Sequence, residues 1–264
     1  MMRLDKYLAE MGVGTRQEVK KQIRQGKVTV NGTVVKAADT KIDETCDEVT
    51  IGGRNISYVS YEYYMLNKPG GVVSATEDRR DTTVIDLIKD KKRKDLFPVG
   101  RLDKDTEGLL LITNDGDLAH RLLAPKKHVD KVYYAKIDGM VTEEDVKRFA
   151  EGIDIGAEEE EMTRPAKLDI MKSAEESEIR LTIHEGKFHQ VRRMMAFLGL
   201  PLCYLKRVCE GGLWLGDLAP GAVTELDMGR TEQLITSSCD FDEKKLLANC
   251  VRNSQCFGGN DEKL

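Results

Sequence analysis

The chain has 264 residues, 40% hydrophobic and 33% charged, the balance of an ordinary globular protein with room for one large domain or one domain and a small module. No apolar run approaches the roughly 18–20 residues of a membrane-crossing helix, and the opening MMRLDKYLAE lacks the apolar centre of a secretion signal, so a cytoplasmic protein with no membrane partner is expected. The net charge of −5 excludes a uniformly basic nucleic-acid binder, yet residues 1–36 hold eight bases against three acids and residues 187–207 hold five bases and no acid. Two basic patches on an acidic protein suggest a polyanion gripped at chosen places.

In chain order, Leu4, Tyr7, Leu8 and Met11 form the apolar stripe of a short helix that Gly12 and Gly14 end. Thr15 and Glu18 form a capping box for a second helix, on which Arg16, Lys20 and Arg24 line one face while Val19 and Ile23 turn inward. KVTVNGTVV then alternates around Asn31-Gly32, the strongest short signal for a hairpin. A basic stripe alone is equally what a solvated helix face shows.

Residues 37–60 read as a polar linker with a short strand or two, and a larger domain is expected from about residue 59 to 234. In it YEYYML (61–66) reads as a strand broken by NKPGG, and TTVIDLIKDKKRK (82–94) as a short helix. A helix is expected over 117–123, a strand at KVYYAKI (131–137), and a helix after Thr142 with acids in its first turn. IRLTIH (179–184) alternates, KFHQVRRMMAFLGL (187–200) reads as a helix, and CYLKRV and LWLGDL as strands. Strands and helices interleave without the regularity of a parallel sheet, so an α+β fold is expected. Residues 235–264 carry little patterning beyond a short helix near 243–250, and read as a partly disordered tail. The six cysteines show neither C-x-x-C nor zinc spacing with the four histidines and are expected to be free thiols.

The stretch GRLDKDTEGLLLIT (100–113) carries Asp103, Asp105 and Glu107 at the entrance of an apolar run. Desolvating unpaired carboxylates is costly, so partners are expected. A metal cluster or a glycosidase-type acid pair fits the three acids, but Arg101 and Lys104 stand among them and discourage a cation site. Pairing of Asp103 with an arginine, which would hold the carboxylate anionic and oriented as a nucleophile or base, competes with a plain ion pair beside a turn. No phosphate-binding or dinucleotide-binding glycine motif is present, and G-x-S-x-G is absent, so nucleotide-cofactor chemistry has no anchor.

The pattern RLDKYL…TR…IRQGKVTVNG over residues 2–35 resembles the S4 RNA-binding module. GRLDKDTEGLLLIT resembles the catalytic motif of the pseudouridine synthases. LNKPGGVVS at 66–74, K-V-Y at 131–133 and EGKFHQVRRM at 185–194 agree with its RsuA-type branch. The resemblance implies an S4 module with linker over 1–58, then a catalytic domain with a central, mostly antiparallel sheet flanked by helices. It implies Asp103 as the nucleophile attacking sugar C1′ or uracil C6, Arg192 as the arginine paired with it, and Tyr133 as the tyrosine that stacks on the base and helps remove the C5 proton. Arg101, Lys68, His189, Gln190 and Arg193 are the expected RNA contacts near the site, and Arg3, Arg16, Lys20, Arg24 and Lys27 those of the S4 module. The isomerisation is redox-neutral, so no cofactor and no metal is expected. HQVRRM, MTRPAKL (162–168) and GDLAPG (216–221) resemble enzymes modifying 16S rRNA, whereas FPVGRLDKDTEGL (97–109) also resembles relatives acting on 23S rRNA. A monomer acting on 16S rRNA, free or in an assembly intermediate, is the expectation.

Overall fold

The computed structural model describes residues 1–124, 129–156, 161–227 and 230–231. The tail beyond 235 with its expected helix, Cys239, Cys250, Cys256 and the acidic residues Glu158–Glu160 lie outside the described residues. The chain forms two compact units. The first comprises Met1–Glu62, Ile88–Phe97 and Thr113–Asp115; the second comprises Tyr63–Leu87, Pro98–Ile112 and the described residues from Gly116 on.

In the first unit, strand β1 (Met2–Arg3) leads into helix α1 (Leu4–Glu10), which is followed by α2 (Arg16–Arg24). The Thr15 hydroxyl accepts from the Glu18 N–H at 3.3 Å while the Glu18 carboxylate accepts from the Thr15 N–H at 2.7 Å, the reciprocal box read from the sequence. Strands β2 (Val28–Val30) and β3 (Thr33–Val34) pair antiparallel across Asn31 and Gly32, both at positive φ as a tight primed turn requires. Residues 37–60 do more than link. They supply β4 (Lys41–Ile42), β5 (Val49–Ile51) and β6 (Arg54–Asn55), and β5 lies beside β2 in a four-stranded sheet ordered β3-β2-β5-β6. Ile42, Val49 and Ile51 share one core with Leu4, Tyr7, Leu8, Val19, Ile23 and Val28.

The expected helix at 82–94 is absent. Thr83 and Asp86 close a single capped turn, with the Asp86 carboxylate accepting from the Thr83 N–H at 2.8 Å. Beyond it the N–H groups of Lys92 and Arg93 donate to the buried Glu62 carboxylate, at 3.0 and 2.7 Å, instead of to preceding carbonyls. The buried Arg93 guanidinium then meets Glu10 at 3.1 Å and Asp95 at 2.6 Å.

The second unit is built on a nine-stranded sheet. Its strands are β7 (Tyr63–Lys68), β8 (Phe97–Val99), β9 (Glu107–Thr113), β10 (Lys131–Asp138), β11 (Lys167–Lys172), β12 (Glu176–Ile183), β13 (Leu202–Glu210), β14 (Leu213–Trp214) and β15 (Val223–Glu225). The main path runs β11-β12-β10-β13-β9-β7-β15, with β14 paired to β13 and β8 to β9. The β11–β12, β12–β10, β10–β13, β13–β14 and β7–β15 pairs are antiparallel and β9–β13 is parallel, giving the expected α+β class with a mostly antiparallel sheet. The helices are α3 (Gly116–Leu123), α4 (Glu143–Glu151) and α5 (Gln190–Phe197).

Glu107 and Gly108 open β9 and pair with Lys206 and Arg207. Gly108 sits at φ 103°, and a Cβ there would meet the Arg207 carbonyl oxygen at 2.1 Å. A glycine is therefore obligatory where β9 enters the sheet beside β13.

Candidate active site

The loop ahead of β9 carries Asp103, and the start of α5 carries its partners. Arg192 Nε donates to Asp103 Oδ2 at 3.2 Å, while Arg192 Nη2 stands 2.7 Å from Asp105 Oδ2. His189 Nε2 lies 3.4 Å from the other Asp103 oxygen. The third acid turns elsewhere: Glu107 accepts from the Tyr204 hydroxyl at 2.7 Å. Asp103 and Asp105 thus share Arg192, and Glu107 takes a partner of its own.

The helix over 187–200 starts later than its periodicity suggests. His189 is the residue before α5 and holds a left-handed backbone at φ 48°, so the chain turns sharply between Lys187 and Gln190. Val191, Met194 and Met195 anchor the helix by burial, which leaves Arg192 facing Asp103. Gln190 is buried and braces the loop: its carbonyl accepts from the Lys187 N–H at 2.9 Å and its amide donates to Glu185 at 2.9 Å. Arg193 is tied down as well, to Glu161 at 2.6 Å, to the Ile155 carbonyl and to the Phe188 carbonyl at 3.3 Å.

Asp103 opens onto a cavity of about 130 Å³ whose lining includes Arg101, Thr106, Lys131, Tyr133 and Arg207. Arg101 is exposed at its edge. Tyr133 is buried on β10, and a register shift between Val132 and Tyr133 sets it opposite Arg207 on β13. Such a bulge re-aims side chains along a strand. Burial pushes the Tyr133 phenol above its ordinary pKa, the nearby Arg207 guanidinium opposes this, and Glu210 adds to it. Arg207 is itself 2% exposed, donates from Nε to the Leu109 carbonyl at 2.7 Å and stands 3.2 Å from Glu210, which is fully buried. Lys131 is the second cation near that carboxylate, at 4.0 Å. Among the described residues neither Glu210 oxygen meets a donor in hydrogen-bond geometry, so the charges of Arg207 and Lys131 stabilise it. Sequence reasoning missed this pair. The available signal was a pair of basic residues, Lys206 and Arg207, inside a largely apolar strand with an acid three residues after Arg207.

Lys68, at the end of β7, is completely buried beneath the Asp103 loop. Its ammonium donates to the carbonyls of Pro69, Lys104 and Thr106 at 3.1, 3.0 and 2.8 Å, and so pins the ends of the loop that carries Asp103. Burial pulls its pKa down to about 8, against which Glu107, Asp105 and Asp103 push upward. Lys68 therefore shapes the loop from below. In the first unit Arg16, Arg24 and Lys27 are exposed, whereas Arg3 forks onto Asp5 at 2.9 and 2.8 Å and Lys20 lies 3.8 Å from the same acid. Cys46, Cys203 and Cys209 are free thiols.

An aspartate anchored by an arginine, a buried tyrosine on the wall of one small cavity and a separate basic module are what an enzyme working on a polyanionic substrate would need. The family model for RNA pseudouridylate synthases matches residues 62–197, and that of the S4 domain matches residues 2–49. An RNA pseudouridine synthase of Bacillus subtilis is 46% identical over 228 residues, covering 85% of this chain and 95% of its own. The ribosomal small subunit pseudouridine synthase A of Vibrio vulnificus is 41% identical, covering 83% of this chain and 94% of its own. The ribosomal large subunit pseudouridine synthase B of Bacillus subtilis is 39% identical, covering 89% and 96%. The chain belongs to the RsuA-type pseudouridine synthases, isomerases that convert uridine to pseudouridine in RNA.

Proposed function

We propose that the chain isomerises one uridine of ribosomal RNA, in the small-subunit molecule, with Asp103 as nucleophile. The observation that carries this is the Asp103 carboxylate itself, held by Arg192 at 3.2 Å at the mouth of a cavity whose wall is Tyr133. The target base has to leave its stack to reach that carboxylate, at a cost of a few kcal/mol that phosphate and stacking contacts offset. Asp103 then attacks C1′ of the sugar or C6 of the base, and the bond between N1 and C1′ breaks. The base turns and rejoins through C5, and the bond to Asp103 breaks with its electron pair returning to the carboxylate; the C5 proton is lost and N1 takes one up, so no electrons are exchanged. Because burial raises its pKa, Tyr133 is a neutral phenol at neutral pH, suited to packing against the base and hydrogen bonding to it. Arg192 fixes the carboxylate through a charge-assisted bond and holds Asp105 with its other nitrogen.

The first unit would grip the RNA through Arg16, Arg24 and Lys27, exposed on α2 and at the foot of the hairpin. A monomer acting in the cytoplasm is part of this reading, and among the described residues no helix is long and apolar enough to cross a membrane. The small-subunit target rests on HQVRRM, MTRPAKL and GDLAPG and on the similarity to the Vibrio enzyme. A large-subunit target is the second reading, supported by FPVGRLDKDTEGL and by the Bacillus large-subunit relative. Mapping pseudouridines in both rRNAs of a strain lacking the gene separates them. Loss of one site from 16S rRNA is expected; loss from 23S rRNA alone overturns the target and keeps the reaction. Loss from neither leaves an RNA-binding assembly factor on the same fold.

A further inference from the structure

Phe188 is 74% exposed, next to the cavity, on the loop between β12 and α5. One face of its ring is stacked on His189, with centroids 3.8 Å apart and planes within 21°. His189 in turn reaches Asp103 at 3.4 Å. The loop is not slack. Arg193 holds the Phe188 carbonyl, Gln190 closes the turn from inside, and His189 sits at a strained φ of 48°. Strained backbone of this kind persists where surrounding contacts over-determine it, and clusters at functional sites. An exposed aromatic is ordinary by itself. An exposed aromatic whose backbone is fixed and whose ring stacks on the histidine that meets the nucleophile is a prepared surface.

We propose that the open face of Phe188 is a stacking subsite for the nucleobase flanking the target uridine in the RNA strand. When a base is drawn out of its stack its neighbour loses a partner, and a protein ring offered at that place recovers the loss. Stacking tolerates any base because each has a π-face, so this subsite contributes affinity without reading sequence. The surroundings suit a nucleic-acid strand: Lys187, Arg192 and the exposed Arg101 stand around the same opening. The same stack would hold the His189 ring against Asp103, coupling RNA engagement to the geometry of the nucleophile. The proposal rests on the RNA-synthase reading of the site.

The test is binding of an oligouridylate carrying one 2-aminopurine, whose fluorescence falls when it stacks, to the full chain and to Phe188→Leu, Phe188→Ala and Phe188→Trp. Truncation of a stacking ring weakens binding by about 5- to 150-fold. Phe188→Ala and Phe188→Leu are expected to lose affinity in that range and to lose the quenching, while Phe188→Trp keeps both. Leucine retains apolar bulk without a π-face, so wild-type affinity and quenching in Phe188→Leu would overturn the proposal. The readout is independent of turnover. Failure of the synthase reading would instead appear as wild-type protein that quenches the probe yet isomerises no rRNA.

Discussion

Neutralising Glu210 isolates the buried pair beneath Tyr133. In Glu210→Gln the shape is kept and the charge removed, which takes the carboxylate away from Arg207, only 2% exposed. At 3.2 Å and an effective dielectric of about 20 the Arg207–Glu210 attraction is about 5 kcal/mol. Breaking buried pairs by removing one partner costs about 3–5 kcal/mol, of the same size. The single tryptophan, Trp214, pairs with Cys209 beside Glu210, so its fluorescence reports unfolding of this sheet. With urea slopes of about 1–3 kcal/mol per molar, the midpoint should fall by at least about 1 M. The double substitution Arg207→Met with Glu210→Leu should restore most of the loss, because a buried pair replaced by apolar groups is often neutral. A midpoint unchanged in Glu210→Gln, or a double variant as unstable as the single one, would refute the reasoning.

Other perturbations give equally definite outcomes. Gly108→Ala forces a Cβ to 2.1 Å from the Arg207 carbonyl at φ 103°, and should cost more than the roughly 1 kcal/mol of an ordinary glycine replacement, measured by the same urea titration; a neutral change would mean the parallel pair can shift. Lys68 carries a folded-state pKa of about 8 against an ordinary 10.5, so the folded state releases this proton first and stability from this group should rise between those values; Lys68→Met should lack that slope in unfolding curves taken across the window, and an identical slope would remove Lys68 as its source. Replacing Arg16, Arg24 and Lys27 together by alanine should weaken rRNA binding and reduce the salt slope by about one per lost phosphate contact; an unchanged slope would make α2 a solvated face.

What the sequence disclosed was mostly chemistry that is local or carried by a motif. Thr15 with Glu18 and Asn31 with Gly32 act over a few residues, so spacing alone announces the cap and the turn. Pairing of Asp103 with Arg192, 89 positions apart, was accessible only because both lie in motifs of one family, and the structure brings them to 3.2 Å. The 37–60 stretch looked like a linker because strands of two or three residues are too short to show alternation, although Val49 and Ile51 complete the core. TTVIDLIKDKKRK (82–94) read as a short helix but makes only one capped turn, since the N–H groups of Lys92 and Arg93 found the Glu62 carboxylate, a partner outside any local window. Arg207 and Glu210 escaped for a similar reason. Their placement under Tyr133 depends on the register shift after Val132 and on the parallel β9–β13 pair, neither of which periodicity encodes.

The most direct test of the central claim is tritium release from rRNA labelled at uracil C5, with 16S and 23S transcripts assayed separately against wild type and Asp103→Asn. Wild type should release tritium from 16S RNA, and Asp103→Asn should bind that RNA with nearly unchanged affinity and release none. Substantial release by Asp103→Asn would contradict Asp103 as the nucleophile, and with it the account of why Arg192 and His189 converge on that carboxylate.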